Sequence, residues 1–182
     1  RSLAQLKNVK SYTTTVSGSD RSMIIAAGQR EIAMQFLKDW FSTEVRDYLK
    51  ICDPYFGIED LEVLQILHSI NPSCKVAILT SKKYQDKISQ PWDEAFRSHW
   101  RILISAQSPP DTEIAIVGIA HSGELPIHDR WWLTNGGGIR IGTSFNSLGI
   151  IKSSEISILT PEEALLREKE VDQYLRREKK EH

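Results

Sequence analysis

Side chains suited to phosphate chemistry recur at fixed intervals between Ile127 and Asn146. A histidine is followed two residues later by an arginine, and residues with amide and hydroxyl groups follow at wider spacing. Side chains two positions apart in an extended strand face the same side, so the imidazole and the guanidinium are expected to point together. Because a guanidinium binds phosphate oxygens bidentately, the pattern predicts a phosphate site. Its residues are His128, Arg130, Asn135, Thr143 and Asn146.

The spacing of these residues resembles one half-site of the phospholipase D superfamily, whose motif is H-x-K-x4-D-x6-G-S-x-x-N. All the intervals agree, but three residue types differ. Arg130 replaces Lys, Asn135 replaces Asp and Thr143 replaces Ser. The resemblance implies a phospholipase D-like α/β fold, in which a mixed sheet flanked by helices carries a single half-site.

The resemblance also implies a metal-independent reaction without a cofactor. In this superfamily one histidine forms a phosphohistidine, a second histidine acts as general acid, and water then releases the phosphate. Each half-site supplies one histidine and one lysine, so a chain with one half-site must pair with a second copy. His128 is then the nucleophile or the acid, and Glu155, which lies beyond the motif, is expected to orient a histidine.

The three replacements bear on whether such a site still catalyses. Arg130 keeps the positive charge, but a guanidinium is bulkier than an ammonium and cannot give up its proton. Asn135 removes a charge, whereas Thr143 keeps a hydroxyl and Asn146 keeps its amide. We therefore expect these four residues to preserve phosphate binding better than they preserve chemistry.

A second resemblance extends across roughly residues 30–160. The chain looks like the C-terminal phospholipase D-like domain of proteins that carry an N-terminal MIT domain. Members of that group are thought to bind phosphoinositide membranes and to lack the catalytic lysine. Similar segments also look familiar from bacterial and phage proteins of conflict systems. The matching segments are Asp53-Pro54-Tyr55, Ile78-Leu79-Thr80, His128-Asp129-Arg130, Asn135-Gly136 and Ile141-Gly142, whereas Gly142-Thr143-Ser144-Phe145-Asn146 is nearer to active enzymes.

Composition indicates one soluble globular domain. The 182 residues are 40% hydrophobic and 26% charged, and their net charge of −1 gives no global argument for binding nucleic acid or an anionic membrane. Cys52 and Cys74 lie in or beside apolar segments, which predicts buried free thiols in a reducing, cytoplasmic compartment. No membrane span or signal peptide is visible. The first residue, Arg1, suggests a piece of a larger protein with other domains.

Three regions are predicted along the chain. Residues 1–28 are a linker or an N-terminal arm, residues 29–160 the phospholipase D-like domain, and residues 161–182 a charged C-terminal helix. In the middle region helices alternate with strands early and strands follow one another later, which predicts one mixed sheet flanked by helices. The last helix either docks by a narrow apolar stripe or binds a partner or second copy.

Individual elements follow from the apolar spacing. A helical period runs from Gln29 through Val45 to Tyr48, and a second helix lies within residues 61–70. Strands are predicted at residues 75–80 and 101–105, separated by a helix at 91–100. The three glycines after Asn135 predict a hairpin turn.

Several other residues have both a structural and a functional interpretation. Asp53 and Tyr55 form a turn or the wall of a pocket. Lys82 and Lys83 are solvated or add charge to a phosphate site at a strand end. His121 is a loop residue or approaches the site. One of the two tryptophans after Arg130 is expected in the core, and the other over a phosphate groove or a dimer interface.

Three functions remain open from sequence. The first is a degenerate module of a larger protein that recognises a phosphorylated partner, nucleic acid or anionic lipid, or mediates assembly. The second is a homodimeric phosphodiesterase of nuclease type that uses a phosphohistidine. The third is a structural interaction domain in which His128 and Arg130 form a buried polar group.

Overall fold

A seven-stranded sheet organises the chain, and helices cover both of its faces in the computed structural model. The structure describes residues 21–88, 92–119 and 121–178. Most of the predicted N-terminal arm therefore lies outside the described residues. So do Pro91, which was expected near a helix start, and the end of the predicted C-terminal helix at 179–182.

The order of strands and helices matches the predicted mixed arrangement. The strands are β1 (Arg21–Ile25), β2 (Tyr48–Cys52), β3 (Lys75–Ser81), β4 (Thr112–Val117), β5 (Arg130–Thr134), β6 (Gly137–Ile141) and β7 (Ser154–Ile158). The helices are α1 (Arg30–Glu44), α2 (Glu62–Ile70), α3 (Lys82–Ile88), α4 (Trp92–His99) and α5 (Pro161–Glu178). Short 3-10 turns occupy Ile58–Asp60 and Phe145–Ser147.

The strands lie in the order β1-β7-β6-β5-β2-β3-β4. Strands β2, β3 and β4 are parallel to one another, and every other neighbouring pair is antiparallel. Strand β5 therefore runs against β2, and Trp131 lies opposite Cys52. This register brings the start of β5 to the end of β2, which places Arg130 beside Asp53.

The main core lies between the sheet and helices α1 and α2. Helix α1 buries Ala33, Leu37 and Phe41 at helical spacing, and α2 adds Leu64. The ring of Phe41 stacks on Trp132 of β5, with centroids 5.9 Å apart. Burial of this apolar stripe holds α1 against the strand that carries the motif.

Helix α5 covers the opposite face of the sheet. Its Val171 is fully buried beside Trp131 and Leu133 of β5. At one edge of this contact Lys50 of β2 forms ion pairs with two carboxylates of α5, at 3.0 and 2.8 Å. The helix is therefore docked by a narrow apolar stripe and by charge. No helix within the described residues has the length and apolar character needed to cross a membrane.

Four local expectations need correction. The first helix ends at Glu44, and Tyr48 instead begins β2. Residues Trp100–Ile104 form a π-helical turn rather than a strand, because the buried Trp100 anchors the chain directly after α4. Helix α3 was missed because its short sequence is mostly polar. Both tryptophans after Arg130 are buried, since helices cover both faces of the sheet.

Candidate functional site

The predicted motif begins at the edge of the sheet where β2 ends and β5 starts. Asp53 directly follows β2, and Arg130 is the first residue of β5. The Nε atom of Arg130 lies 3.3 Å from Oδ1 of Asp53, and its guanidinium carbon lies 5.0 Å from the ring centroid of Tyr55. The N–H is not aligned with the oxygen, so this contact is an ion pair without a hydrogen bond through Nε. Arg130 is thus held between a carboxylate and an aromatic ring.

Asp53 is the centre of this local arrangement, and its side chain is 3% exposed. It accepts the backbone N–H of Tyr55 at 2.8 Å and the hydroxyl of Ser144. Burial raises the pKa of Asp53, while Ser144, the Tyr55 amide and Arg130 act in the opposite direction. Arg130 therefore balances a buried charge, and its own side chain is only 19% exposed.

His128 occupies a different environment from Arg130. Its side chain is 95% exposed, and Nδ1 lies 4.0 Å from Oδ1 of Asp129. It lines a cavity of about 530 Å³ whose walls include Tyr55 and Tyr84. The two tyrosine rings meet edge to face at 5.8 Å. Tyr55 thus joins the two parts of the motif, because it packs on Arg130 and lines the cavity at His128.

Lysines of α3 supply cations at this cavity. Lys83 donates to Glu124 at 2.7 Å, and this bond raises the pKa of Lys83 and lowers that of Glu124. Lys82 does not line the cavity and pairs with Asp86 one helical turn later. Lys87 lines the cavity and has no ion-pair partner within the described part of the chain.

The loop after β6 carries the rest of the motif. On both sides of Thr143 its residues form hydrogen bonds with other parts of the protein. The amide of Gly142 donates to the carbonyl of Glu155 at 2.9 Å. A Cβ at Gly142 would lie 2.6 Å from Oγ of Ser154, so any other residue at this position would require the Ser154 side chain to move. Thr143 is half-buried, and no hydrogen bond joins its hydroxyl to another described residue. Thr143 is not among the residues that line the cavity at His128, so a ligand that it binds must extend beyond that cavity.

A second buried carboxylate lies beneath the same loop. Asp60 is fully buried and accepts the amides of Gly57 and Asn146, each at 2.8 Å. Burial raises its pKa to about 7, although both hydrogen bonds favour the ionised form. The side chain of Asn146 also accepts the hydroxyl of Ser147 at 2.9 Å.

The structure does not bring Asn135 to this group. It lies in the turn between β5 and β6, at the opposite end of β5 from Arg130. Its amide nitrogen donates to Asp47 at 3.0 Å, and its carbonyl oxygen accepts the Asp47 amide at 3.4 Å. Asn135 thus fixes the hairpin to the segment before β2, a long way along the strand from His128.

Glu155 also lies away from the group. Ile156 packs in the same core as Trp132, and its neighbour Glu155 therefore faces the other side of the sheet. The Glu155 carboxylate accepts the hydroxyl of Ser157 at 2.9 Å. No contact joins it to His128 within the described residues. His121 is an exposed turn residue and does not line the cavity.

Sequence reasoning missed four residues of this region. Lys87 and Tyr84 lie on the unpredicted helix α3, while Asp60 and Arg30 hold the loop from neighbouring elements. Asp60 stands between Glu59 and Glu62 in the sequence, so no sequence signal marks it as the buried carboxylate. Within residues 21–88, 92–119 and 121–178 no three His, Cys, Asp or Glu side chains are placed to share a metal ion.

This mixed sheet, covered by helices on both faces, agrees with the mixed α/β fold class that the sequence predicted. The chain is similar to the solved structure of NucT from Helicobacter pylori, with a TM-score of 0.59. The likeness covers 87% of this chain and 97% of that one at 12% identity, so it shows the fold alone.

Two further solved structures are less similar to this chain. TrmBL2, an archaeal chromatin protein, gives a TM-score of 0.45 at 8% identity over 96% of this chain and 60% of its own. Phosphatidylserine synthase from Haemophilus influenzae Rd KW20 gives 0.43 at 15% identity over 85% and 37%. These two scores are too low to define a fold. No protein-family model and no curated protein matches the chain.

Proposed function

We propose that this chain recognises a phosphate-bearing ligand in the cavity in front of His128. The supporting observation is that His128 is almost fully exposed and shares a cavity with Lys87, whose charge is unpaired within the described residues. Ammonium and protonated imidazole groups both donate charge-assisted hydrogen bonds to phosphate oxygens. The phospholipase D-like fold fits such a phosphodiester site.

Arg130 and the motif loop contribute donors rather than the main attraction. Asp53 offsets the charge of Arg130 and accepts a hydrogen bond from its side chain, so Arg130 offers a ligand its remaining guanidinium N–H groups. Thr143 adds a hydroxyl and Asn146 an amide. The attraction for an anion therefore comes mainly from Lys87 and His128.

Among the ligands that the sequence allows, nucleic acid suits the cavity best. Tyr55 is 47% exposed, and together with Tyr84 it offers aromatic surface beside the cations. Bases stack on such rings, and each stacked base adds to affinity. Recognition of anionic lipid, assembly with other domains of a larger protein and kinship with the MIT-associated group remain alternative predictions.

Replacing Lys87 by alanine is expected to weaken binding of a short single-stranded oligonucleotide by about tenfold, the loss of one charge-assisted contact. Lys82→Ala is the matched control, because Lys82 lies on the same helix but outside the cavity. Fluorescence anisotropy at fixed salt measures both affinities. Equal losses in the two variants would show general attraction to the surface and refute the site. Vesicles containing phosphoinositide, tested in parallel, would favour the lipid alternative if they alone are bound.

A homodimeric phosphodiesterase is the second candidate. Its supporting observation is that His128, the one histidine lining the cavity among the described residues, is open enough to face a second copy. A phosphohistidine mechanism needs two imidazoles, one as nucleophile and one as general acid. Catalysis therefore requires the His128 of another chain.

Hydrolysis of bis(4-nitrophenyl) phosphate tests this second candidate. The enzyme predicts turnover that rises with the dimer fraction, measured by light scattering, and that disappears in His128→Ala. Turnover that survives in His128→Ala, or a chain that stays monomeric at all concentrations while hydrolysing the ester, would exclude this mechanism. Binding without turnover leaves the recognition module as the function.

A further inference from the structure

The loop from Gly142 to Asn146 is joined to a distant turn by one buried carboxylate. Asp60 accepts the amide of Asn146 through Oδ1 and the amide of Gly57 through Oδ2, each at 2.8 Å. Asp60 and Asn146 are 86 residues apart in sequence, so no local structure fixes this contact. The carboxylate is fully buried, and hydrogen bonds of this kind to a charged acceptor are among the stronger ones in proteins.

Arg30 of α1 holds the other side of the same segment. It donates to the carbonyl of Phe145 and, at 2.9 Å, to the carbonyl of Leu148. Its guanidinium carbon lies 4.4 Å from the ring centroid of Phe145. The loop is therefore fixed by an anion at Asn146 and by a cation directly beside it.

These contacts fix the backbone that carries Thr143. Its neighbour Ser144 donates to Asp53, and Asn146 donates to Asp60, so the residues that follow Thr143 are bonded inward. Thr143 is left with a hydroxyl that has no partner within the described residues. A hydroxyl on a fixed backbone binds a phosphate oxygen with less loss of entropy than one on a mobile loop.

We propose that Asp60 is a positioning residue: its ionised carboxylate holds the motif loop so that Thr143 can bind the ligand phosphate, and protonation of Asp60 loosens the loop. The proposal rests on the proposed function, because Thr143 can bind a ligand phosphate only if this region of the molecule is a phosphate site. Asp60 itself does not touch the ligand. It acts through the amide of Asn146.

The geometry makes this positioning dependent on charge. Both oxygens of Asp60 accept an N–H, and a protonated carboxyl places its own O–H on one of those oxygens, which weakens that oxygen as an acceptor. Burial brings the pKa of Asp60 to about 7. The charged and titratable groups around it are Arg30 on α1, Asp53 after β2, Glu59 on its own turn and Tyr84 on α3. Of these groups, only Arg30 carries a positive charge.

Dimethyl phosphate is a suitable probe, because it stays a monoanion across neutral pH while Asp60 titrates. In Asp60→Asn the side chain keeps one acceptor oxygen and turns an amide N–H₂ toward the other donor. We expect its affinity for dimethyl phosphate at about pH 8 to fall about tenfold relative to the parent chain. Glu59→Gln is the matched control, since it removes an exposed charge from the same turn and is expected to change affinity by less than about twofold.

The pH profile separates positioning from a general structural effect. Protonation of Asp60 is expected to weaken anion binding as pH falls. The component that strengthens binding as pH rises through about 7 is therefore expected in the parent chain and absent in Asp60→Asn. Unchanged affinity in a folded Asp60→Asn, or an unchanged profile, would overturn the proposal.

If Asp60→Asn does not fold, NMR of the parent chain tests the proposal instead, through the pH dependence of its amide resonances. The amide protons of Gly57 and Asn146 are expected to shift together with a common midpoint near pH 7. Independent or absent titration of these two amides would overturn the proposal. A parent chain that binds no dimethyl phosphate, yet shows the joint titration, would refute the proposed function while leaving the Asp60 contact intact.

Discussion

Replacement of Arg130 by alanine is expected to lower the free energy of unfolding by about 3–5 kcal/mol, as when one partner of a buried ion pair is removed. Asp53 is 3% exposed and would keep a charge without its cation. The cation–aromatic contact with Tyr55 would be lost as well. Urea unfolding followed by tryptophan fluorescence measures this change, because Trp131 and Trp132 adjoin Arg130 and are both buried.

His128→Ala is the control for this prediction. The side chain of His128 is 95% exposed, so its removal is expected to change stability by less than about 0.5 kcal/mol. The double variant Asp53→Asn, Arg130→Met is expected to recover most of the loss, because no unpaired charge remains buried. If Arg130→Ala is as stable as His128→Ala, the ion pair with Asp53 does not support the fold.

The expected loss of stability in Arg130→Ala changes how binding experiments on this variant are interpreted. From the sequence, a recognition module predicts that Arg130→Ala abolishes ligand binding and leaves the fold intact, whereas a structural interaction domain predicts a loss of stability. The ion pair with Asp53 makes a loss of binding ambiguous, since part of the effect comes from a destabilised site. Lys87 and His128 are the better residues for testing recognition, because neither balances a buried charge.

Stability is expected to fall as pH rises toward neutrality because of Asp60. Its pKa is raised from 3.8 to about 7, so the folded state binds the proton more tightly than the unfolded state does. Between these two values the unfolding free energy decreases with pH at about 1.4 kcal/mol per unit. Asp60 therefore contributes stability that is fully present below about pH 4 and lost above about pH 7, roughly 4 kcal/mol in all.

Chemical denaturation at several pH values checks this prediction. In Asp60→Asn the Asp60 component is absent, so the difference between the parent chain and the variant isolates it from the other titrating groups. Glu59→Gln keeps the buried carboxyl and is expected to keep the slope. Parallel pH profiles for the parent chain and Asp60→Asn would contradict the prediction, since they would mean that Asp60 has the same pKa in both states.

The two predictions for Asp60 have opposite pH dependence. Ionisation lowers overall stability because a charge is buried, but it strengthens the contact that holds Asn146.

The sequence by itself determined the class of fold. Two sequence features led to this prediction: the alternation of strand and helix patterns, and the spacing from His128 to Asn146. Both involve residues close together in the sequence, so they can be recognised without knowledge of the tertiary structure. They predicted the mixed sheet, the hairpin after β5 and the helix beginning at Pro161. Element ends were less certain, as at Tyr48, because a helical period and a strand can share apolar residues where one follows the other.

Only the tertiary structure decided which motif residues meet. The motif spacing places Asn135 and Glu155 with His128, but strand β5 carries Asn135 to its far end, and the pleat turns Glu155 to the opposite face. Conversely, Asp53 reaches Arg130 because β5 runs antiparallel beside β2. Strand order and burial depend on contacts between distant segments, and these contacts determine which charges are paired and which remain open to a ligand.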